Sequence, residues 1–235
     1  MTEHRQKMIG MLGGMSWQSS IEYYRLANEL VRERLGGLHS ARLVLASVDF
    51  ATIERLQVEG RWLEAGDLLA DVAKGLEAAG AELLLICANT MHKVADQVQA
   101  AVSVPLLHIV DITAQAVRAA GLSVVGLLGT AYTMDQDFYR DRMAGHGVKV
   151  IVPGADDRAE VHRVIFEELC LGVVRDGSRR AYREIIERLV DEGAQGVVLG
   201  CTEIELLVTA ADSRVPVFAS TRLHVEAALA ASLGP

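Results

Sequence analysis

No run of five or more lysines and arginines occurs in the 235 residues, and the formal net charge is −8. A chain without a basic stripe lacks the electrostatic footprint of a nucleic-acid or anionic-membrane binder. The acidic balance does not exclude an acidic small molecule, because helix N-termini supply local positive potential. No apolar stretch approaches 18 residues, so no membrane span is expected. The opening "MTEHRQKMIGMLGGM" is broken by Gly10, Gly13 and Gly14 and reads as a first strand and turn rather than a secretory leader. Only three cysteines occur, Cys87, Cys170 and Cys201; an odd, low count without a leader points to a reducing cytoplasm. The seven histidines include no H-x-x-x-H pair, and there is no C-x-x-C, so no metal site is expected. The glycine-rich "GMLGGMSW" follows neither the G-x-G-x-x-G nor the P-loop spacing, which gives nucleotide binding little support. No low-complexity linker appears.

What is present is an ordinary globular composition, 51% hydrophobic and 23% charged, in a chain long enough for one large α/β domain or two lobes. Short apolar runs alternate with segments of helical spacing. The strand candidates are "MIGMLG", "RLVLASV", "AELLLIC", "VPLLHIV", "SVVGLLG", "VKVIVP", "QGVVLG" and "VPVFAS"; between them lie stretches such as "AGDLLADVAKGLEAAG" and "RRAYREIIERLVDEG". Continuous apolar strands alternating with helices argue for buried, mostly parallel sheet.

The two halves also resemble each other. "IGMLGG" (9–14) matches "VGLLGT" (125–130), "GAELLLICANT" (80–90) matches "GAQGVVLGCTE" (193–203), and "SVPLL" (103–107) matches "RVPVF" (214–218), in the same order. The expected architecture is therefore α/β with two pseudo-symmetric lobes, residues 1–103 plus 215–235 and residues 104–214, each a mostly parallel sheet flanked by helices. Ligands of such sheets bind at the C-terminal strand edge, which places the expected site in a cleft between the lobes.

The repeat register separates the cysteines. Gly80 falls on Gly193 and Leu85 on Val198, so Cys87 falls on Gly200 and Ala88 on Cys201. Neighbouring strand residues point to opposite faces, so Cys87 reads as a buried apolar cysteine, with a catalytic role the alternative. Cys201, between Gly200 and Thr202–Glu203 at an expected helix start, reads as a thiol whose pKa is lowered by backbone N–H groups and a helix dipole; a packed core cysteine is the alternative.

The stretches "MIGMLGGMSWQSSIEYYRLAN", "LGGLHSARLVLASVDF", "ANTMHKVAD", "LLGTAYTMDQDFYRDR", "IFEELCLG" and "LGCTEIELLV" together resemble the cofactor-independent aspartate/glutamate racemase family, and most of all its enteric-type broad-specificity branch. The resemblance covers essentially the whole chain. It implies two pseudo-symmetric α/β lobes, a homodimer, no pyridoxal phosphate, no metal, and two opposed residues that exchange the Cα proton of an amino acid. By motif, Cys201 matches the second catalytic cysteine, and the first catalytic position is Ala88, where relatives carry cysteine or threonine. Asn89 and Thr90 match the pair that binds the substrate carboxylate or amino group. Met15, Ser16 and Gln57 match pocket-lining regions, and Thr130 and Thr133 are the counterparts of the first loop in the second lobe. Thr202 and Glu203 complete the expected substrate-binding set. Alanine can neither donate nor accept a proton, so the resemblance leaves three outcomes: a neighbour or a water substitutes, the racemase is impaired, or it is one-sided.

Two other readings remain open on the residues. A decarboxylase of the arylmalonate type needs one proton-delivering cysteine, and a catalytically silent dicarboxylate-binding protein needs none. Cys170, at the end of an amphipathic segment, reads by default as core packing, although distant relatives use this neighbourhood to contact the distal carboxylate. His92 reads either as tuning the pocket or as a capping or surface residue, and Glu167 and Glu168 read as solvated helix faces.

Overall fold

A computed structural model describes residues 5–234. The chain divides into two compact units, one running to His108 and resuming at His224, the other spanning Ile109–Leu223. Crossings were expected near Ser103 and Arg214; both fall later. Leu106 still bridges to Leu84 and so stays with the first sheet. Val217–Ala219 pairs within the second sheet, which retains the chain there until the last helix has begun.

In the first unit, β1 (Ile9–Gly13), β2 (Leu43–Ser47) and β3 (Leu83–Ile86) form a parallel sheet in the order β2-β1-β3. β1 and β3 are buried along their whole length, as sheets covered on both faces require. Leu84, Ile86 and Ala88 pack on one side with Leu69, Ala73 and Leu76 of helix Trp62–Ala78. Leu83, Leu85 and Cys87 pack on the other, with Tyr23, Leu26 and Leu30 of helix Trp17–Leu35 and with Val225 and Leu229 of helix Ser220–Leu233. Gly14, just past β1, has φ +91, and a Cβ there would lie 2.2 Å from the Val48 carbonyl oxygen, so only glycine fits this turn.

In the second unit, β4 (Val124–Gly129), β5 (Lys149–Ile151), β6 (Val197–Gly200) and β7 (Val217–Ala219) run parallel in the order β5-β4-β6-β7. This repeats the first sheet, with the single bridge at Leu106 standing where β7 stands. The run "VPLLHIV" was expected to be a strand. Instead it contributes only that bridge before helix Ile109–Ala119 begins. Its buried residues continue as Ile109, Val110, Thr113, Ala114 and Val117, which is helical spacing; a short apolar run does not by itself separate strand from helix.

The registers place the repeat on a structural footing. Leu12 pairs with Ile86, two residues before Ala88, while the matching Leu128 pairs with Leu199, two residues before Cys201. Ala88 and Cys201 are therefore equivalent positions just past the C-terminal ends of the equivalent strands β3 and β6.

Candidate active site

In each unit the chain leaves the sheet at the C-terminal edge through short polar turns, and the expected site residues collect there. On the first unit, Ser16 caps helix Trp17–Leu35, its Oγ accepting from the Ser19 amide at 3.3 Å. Ser19 Oγ donates to the Cys87 carbonyl at 2.8 Å, which ties the turn after β1 to the end of β3. Gln57, in helix Phe50–Val58, is buried and donates through Nε2 to Met91 Sδ at 3.1 Å. Met15, Ala88 and Met91 share one buried cluster with it alongside. Asn89 and Thr90 are buried and open a short 3-10 turn, Thr90–Val94. Cys87 is fully buried on the opposite side of the strand, and desolvation pushes its thiol well above the ordinary range. Met15, Gln57 and Ala88 are thus brought together, and Cys87 is excluded from their company.

His92 is neither a cap nor a surface residue: it is buried and its Nδ1 lies 2.8 Å from the Ala88 carbonyl. A carbonyl only accepts, so the proton is on Nδ1. The ring packs edge-on against His108 and His224. His224 Nε2 donates to the Leu107 carbonyl at 2.8 Å, and its Nδ1 accepts from Tyr23 Oη at 2.9 Å, the pattern of a neutral imidazole. Burial, reinforced by His92, drives its pKa from 6.5 down to about 3. The unfolded chain therefore binds a proton below pH 6.5 that the folded chain does not take up until about pH 3, and stability falls as the pH drops through that window. This one group contributes a slope of up to about 1.4 kcal/mol per pH unit. Urea unfolding followed from pH 7 to pH 4 should show the loss, and His224→Gln should flatten it; an unchanged slope in that variant would remove His224 as the cause.

On the second unit, Thr130 caps helix Ala131–Asp135, its Oγ1 accepting from the Thr133 amide at 3.3 Å and lying 3.2 Å from Thr133 Oγ1. Thr202 is buried and its Oγ1 accepts from Thr221 Oγ1 at 3.0 Å. Cys201 is 8% exposed, and its Sγ donates to Glu203 Oε2 at 2.9 Å. Glu203 is itself buried and is hydrogen-bonded by Cys170 as well.

The electrostatics of Cys201 run opposite to the sequence-based expectation. Its pKa is raised well above the ordinary thiol value, first by burial, then by the Glu203 charge, Cys170 and the hydrogen bond to Glu203; only the Glu203 amide pulls the other way. The helix that follows, Ile204–Leu207, has four residues, too few to build the dipole that a thiolate would need. The resting state of Cys201 is a thiol that donates its hydrogen bond to Glu203. A carboxylate in that position is also poorly suited to hold an anionic substrate group.

A second correction concerns Glu168, expected on a solvated helix face. It is 2% exposed and accepts from Ser178 Oγ at 2.6 Å and Arg163 Nη1 at 3.0 Å. Those bonds, Ser178 foremost, hold its carboxyl below the usual range. Glu168 sits where helix Ala155–Glu167 gives way to the 3-10 turn Leu169–Leu171, so the cluster anchors the turn that presents Cys170. No local sequence pattern marks Arg163, Ser178 or Tyr182; the end of helical periodicity at Glu168 is the one sign near them.

Among the described residues, no group of three or more His, Cys, Asp or Glu side chains could hold a metal ion, and no helix is long and apolar enough to cross a membrane. The fold is α/β, with a parallel sheet flanked by helices in each of the two units. The Asp/Glu/hydantoin racemase family model matches residues 12–228, and the chain belongs to that family, whose class of enzyme is the isomerases. A putative Asp/Glu racemase from Yersinia pestis is 52% identical, with a TM-score of 0.90 over 97% of this chain and 100% of its own. An aspartate racemase homologue from Pyrococcus horikoshii OT3 is 35% identical, with a TM-score of 0.86 over 97% and 100%. The broad-specificity amino-acid racemase RacX of Bacillus subtilis is 24% identical over 156 residues, which is 65% of this chain and 66% of that protein.

Proposed function

We propose that the protein is a cofactor-independent amino-acid racemase acting on aspartate- and glutamate-type substrates, with Cys201 exchanging the Cα proton on one face. The observation that carries the reading is the equivalence of Ala88 and Cys201 in strand register, joined to the thiol–carboxylate contact at Cys201. Asn89, Thr90, Thr202 and nearby backbone amides hold the α-carboxylate and the enolate-like oxygen that develops. One well-placed oxyanion donor contributes about 3–4 kcal/mol, so several must act together. Met15, Ser16, Gln57, Thr130 and Thr133 complete the substrate environment. The first catalytic position is Ala88, so exchange is one-sided or racemisation is impaired. A homodimer in the cytoplasm, without metal or pyridoxal phosphate, belongs to the same proposal.

The test is α-proton exchange in heavy water across L- and D-aspartate and L- and D-glutamate, read by NMR. Deuterium uptake from one enantiomer in preference to the other supports a site built on Cys201, whereas no uptake from any of the four removes the proposal. The lack of a proton-transfer group at Ala88 also favours a second reading, single-thiol decarboxylation of a substituted malonate. Carbon dioxide release from phenylmalonate without amino-acid exchange would select it. Ligand-induced thermal stabilisation without either reaction would instead mark a silent dicarboxylate binder.

A further inference from the structure

Cys170 has no part in the reaction as set out above, yet it shares its hydrogen-bond partner with Cys201. Cys201 Sγ donates to Glu203 Oε2 at 2.9 Å, and the Cys170 thiol hydrogen-bonds the same carboxylate. Burial grades along the three: Cys201 and Glu203 are buried, and Cys170 is partly exposed. The turn that carries Cys170 is held by the buried Glu168–Ser178–Arg163 cluster, so the thiol's position is fixed from behind. Neighbouring polar groups are committed elsewhere. Tyr182, in the same buried cluster as Cys201, donates its hydroxyl to the Val161 carbonyl at 2.9 Å, and Glu205 accepts from the Thr221 amide at 2.9 Å.

Resting on the role given to Cys201 above, we propose that Cys201, Glu203 and Cys170 form a proton relay through which a proton taken from the substrate Cα exchanges with water. Cys201 first passes its thiol proton to the Glu203 carboxylate, leaving a thiolate and a carboxylic acid. The Cα–H bond then breaks, its proton going to the Cys201 sulfur and its electron pair to the enolate-like intermediate. The Glu203 acid gives its proton to the Cys170 sulfur as the Cys170 thiol proton leaves to water, restoring carboxylate and thiol. Reprotonation of the intermediate by Cys201 runs the same path in reverse, with water resupplying the proton. No electrons change owner.

The relay explains how a site with a single acid–base thiol can exchange with solvent. Without it, one thiol taking and returning one proton on one face produces no net change. Glu203 and Cys170 act through Cys201 and are positioning and relay residues. Their test needs two readouts, deuterium uptake at Cα from aspartate and glutamate, and the pH profile of iodoacetamide alkylation at the Cys201 peptide by mass spectrometry. Glu203→Gln should slow uptake by about 10²–10⁴-fold, the range of general acid–base assistance, because the proton carrier is lost. The same variant should alkylate faster near neutral pH, since the charge that opposes the thiolate is gone. Cys170→Ala should slow uptake by about 10²-fold, and Cys170→Ser, which keeps a hydroxyl proton, should restore most of it. Thermal melts of the serine and alanine variants control for folding. If the parent takes up deuterium and Cys170→Ala takes it up equally fast, the relay is wrong and the role of Cys201 stands. If Glu203→Gln speeds both uptake and alkylation, Glu203 merely suppresses the thiolate and the relay is again overturned. If the parent takes up none, the role of Cys201 falls and the relay with it.

Discussion

Cys201→Ala should abolish α-proton exchange, and Cys87→Ala should leave it nearly unchanged. Two thiols near two equivalent strand ends are separated by one residue of register, and that residue decides the matter. Cys87 follows Leu83 and Leu85 into the cluster that packs on helix Trp17–Leu35, with no exposure and a pKa driven up by desolvation alone. Cys201 follows Val197 and Leu199 along its strand but emerges beside Glu203, which accepts a hydrogen bond from its thiol. An inert thiol has no acceptor; a working one has a base in hydrogen-bond reach. Removing the group that carries the proton should cost at least the 10²–10⁴-fold typical of acid–base assistance, so exchange measured by NMR should fall to background. Cys87→Ala shortens a packed side chain and should appear in the melting temperature instead. Equal loss of exchange in the two variants would sink the register argument. A Cys201→Ala variant that exchanges normally would sink the assignment of the thiol.

Much of the fold is legible in the sequence, and the limits have physical causes. Register was readable because strand side chains alternate with a period of two, so an offset of one residue between "LLLICANT" and "GVVLGCTE" carries facing information through the alignment alone. The division into two similar α/β halves followed from the same repeat. Less readable was anything set by contacts distant in sequence. Glu203 can be noticed two residues after Cys201, but whether it faces the thiol or solvent depends on the short turn between them. The thiol pKa was expected to fall because a helix was expected to be long enough to matter; the helix is one turn, and burial with a neighbouring carboxylate dominates. Glu168 looks like any acidic helix residue until Ser178, ten positions on, returns to meet it. His224 and Tyr23 lie 201 residues apart, and no local pattern announces their hydrogen bond. The boundaries between the units slipped for a simpler reason. Short apolar runs after Pro105 and Pro216 both look like strands, yet each stays with the sheet it pairs to before the chain crosses over.

Ala88→Cys should raise racemisation of aspartate or glutamate by about 10²–10⁴-fold over the parent, the range expected when a missing general acid–base group is supplied. Position 88 is the register equivalent of Cys201, two residues past the partner of Leu12 as Cys201 is two past the partner of Leu128. Its side chain is a methyl group, 9% exposed, in the cluster that also holds Met15 and Met91. A thiol adds one sulfur to that methyl, a small increase in volume at an element's end rather than in the middle of a strand. The neighbouring backbone is already braced, since His92 Nδ1–H binds the Ala88 carbonyl at 2.8 Å and Ser19 binds the Cys87 carbonyl, also at 2.8 Å, so the new side chain should be presented without rearranging the turn. Ala88→Thr offers a hydroxyl in the same place and should give a smaller gain, because an alcohol is a much weaker acid than a thiol and has no counterpart here to the carboxylate that assists Cys201. Chiral chromatography of product formed from each pure enantiomer reads both rates. The rise in Ala88→Cys should be confined to appearance of the opposite enantiomer, with exchange into recovered substrate changing little, since that step belongs to Cys201. A well-folded Ala88→Cys protein that racemises no faster than its parent would mean that position 88 does not meet the substrate, or that racemisation is not the reaction.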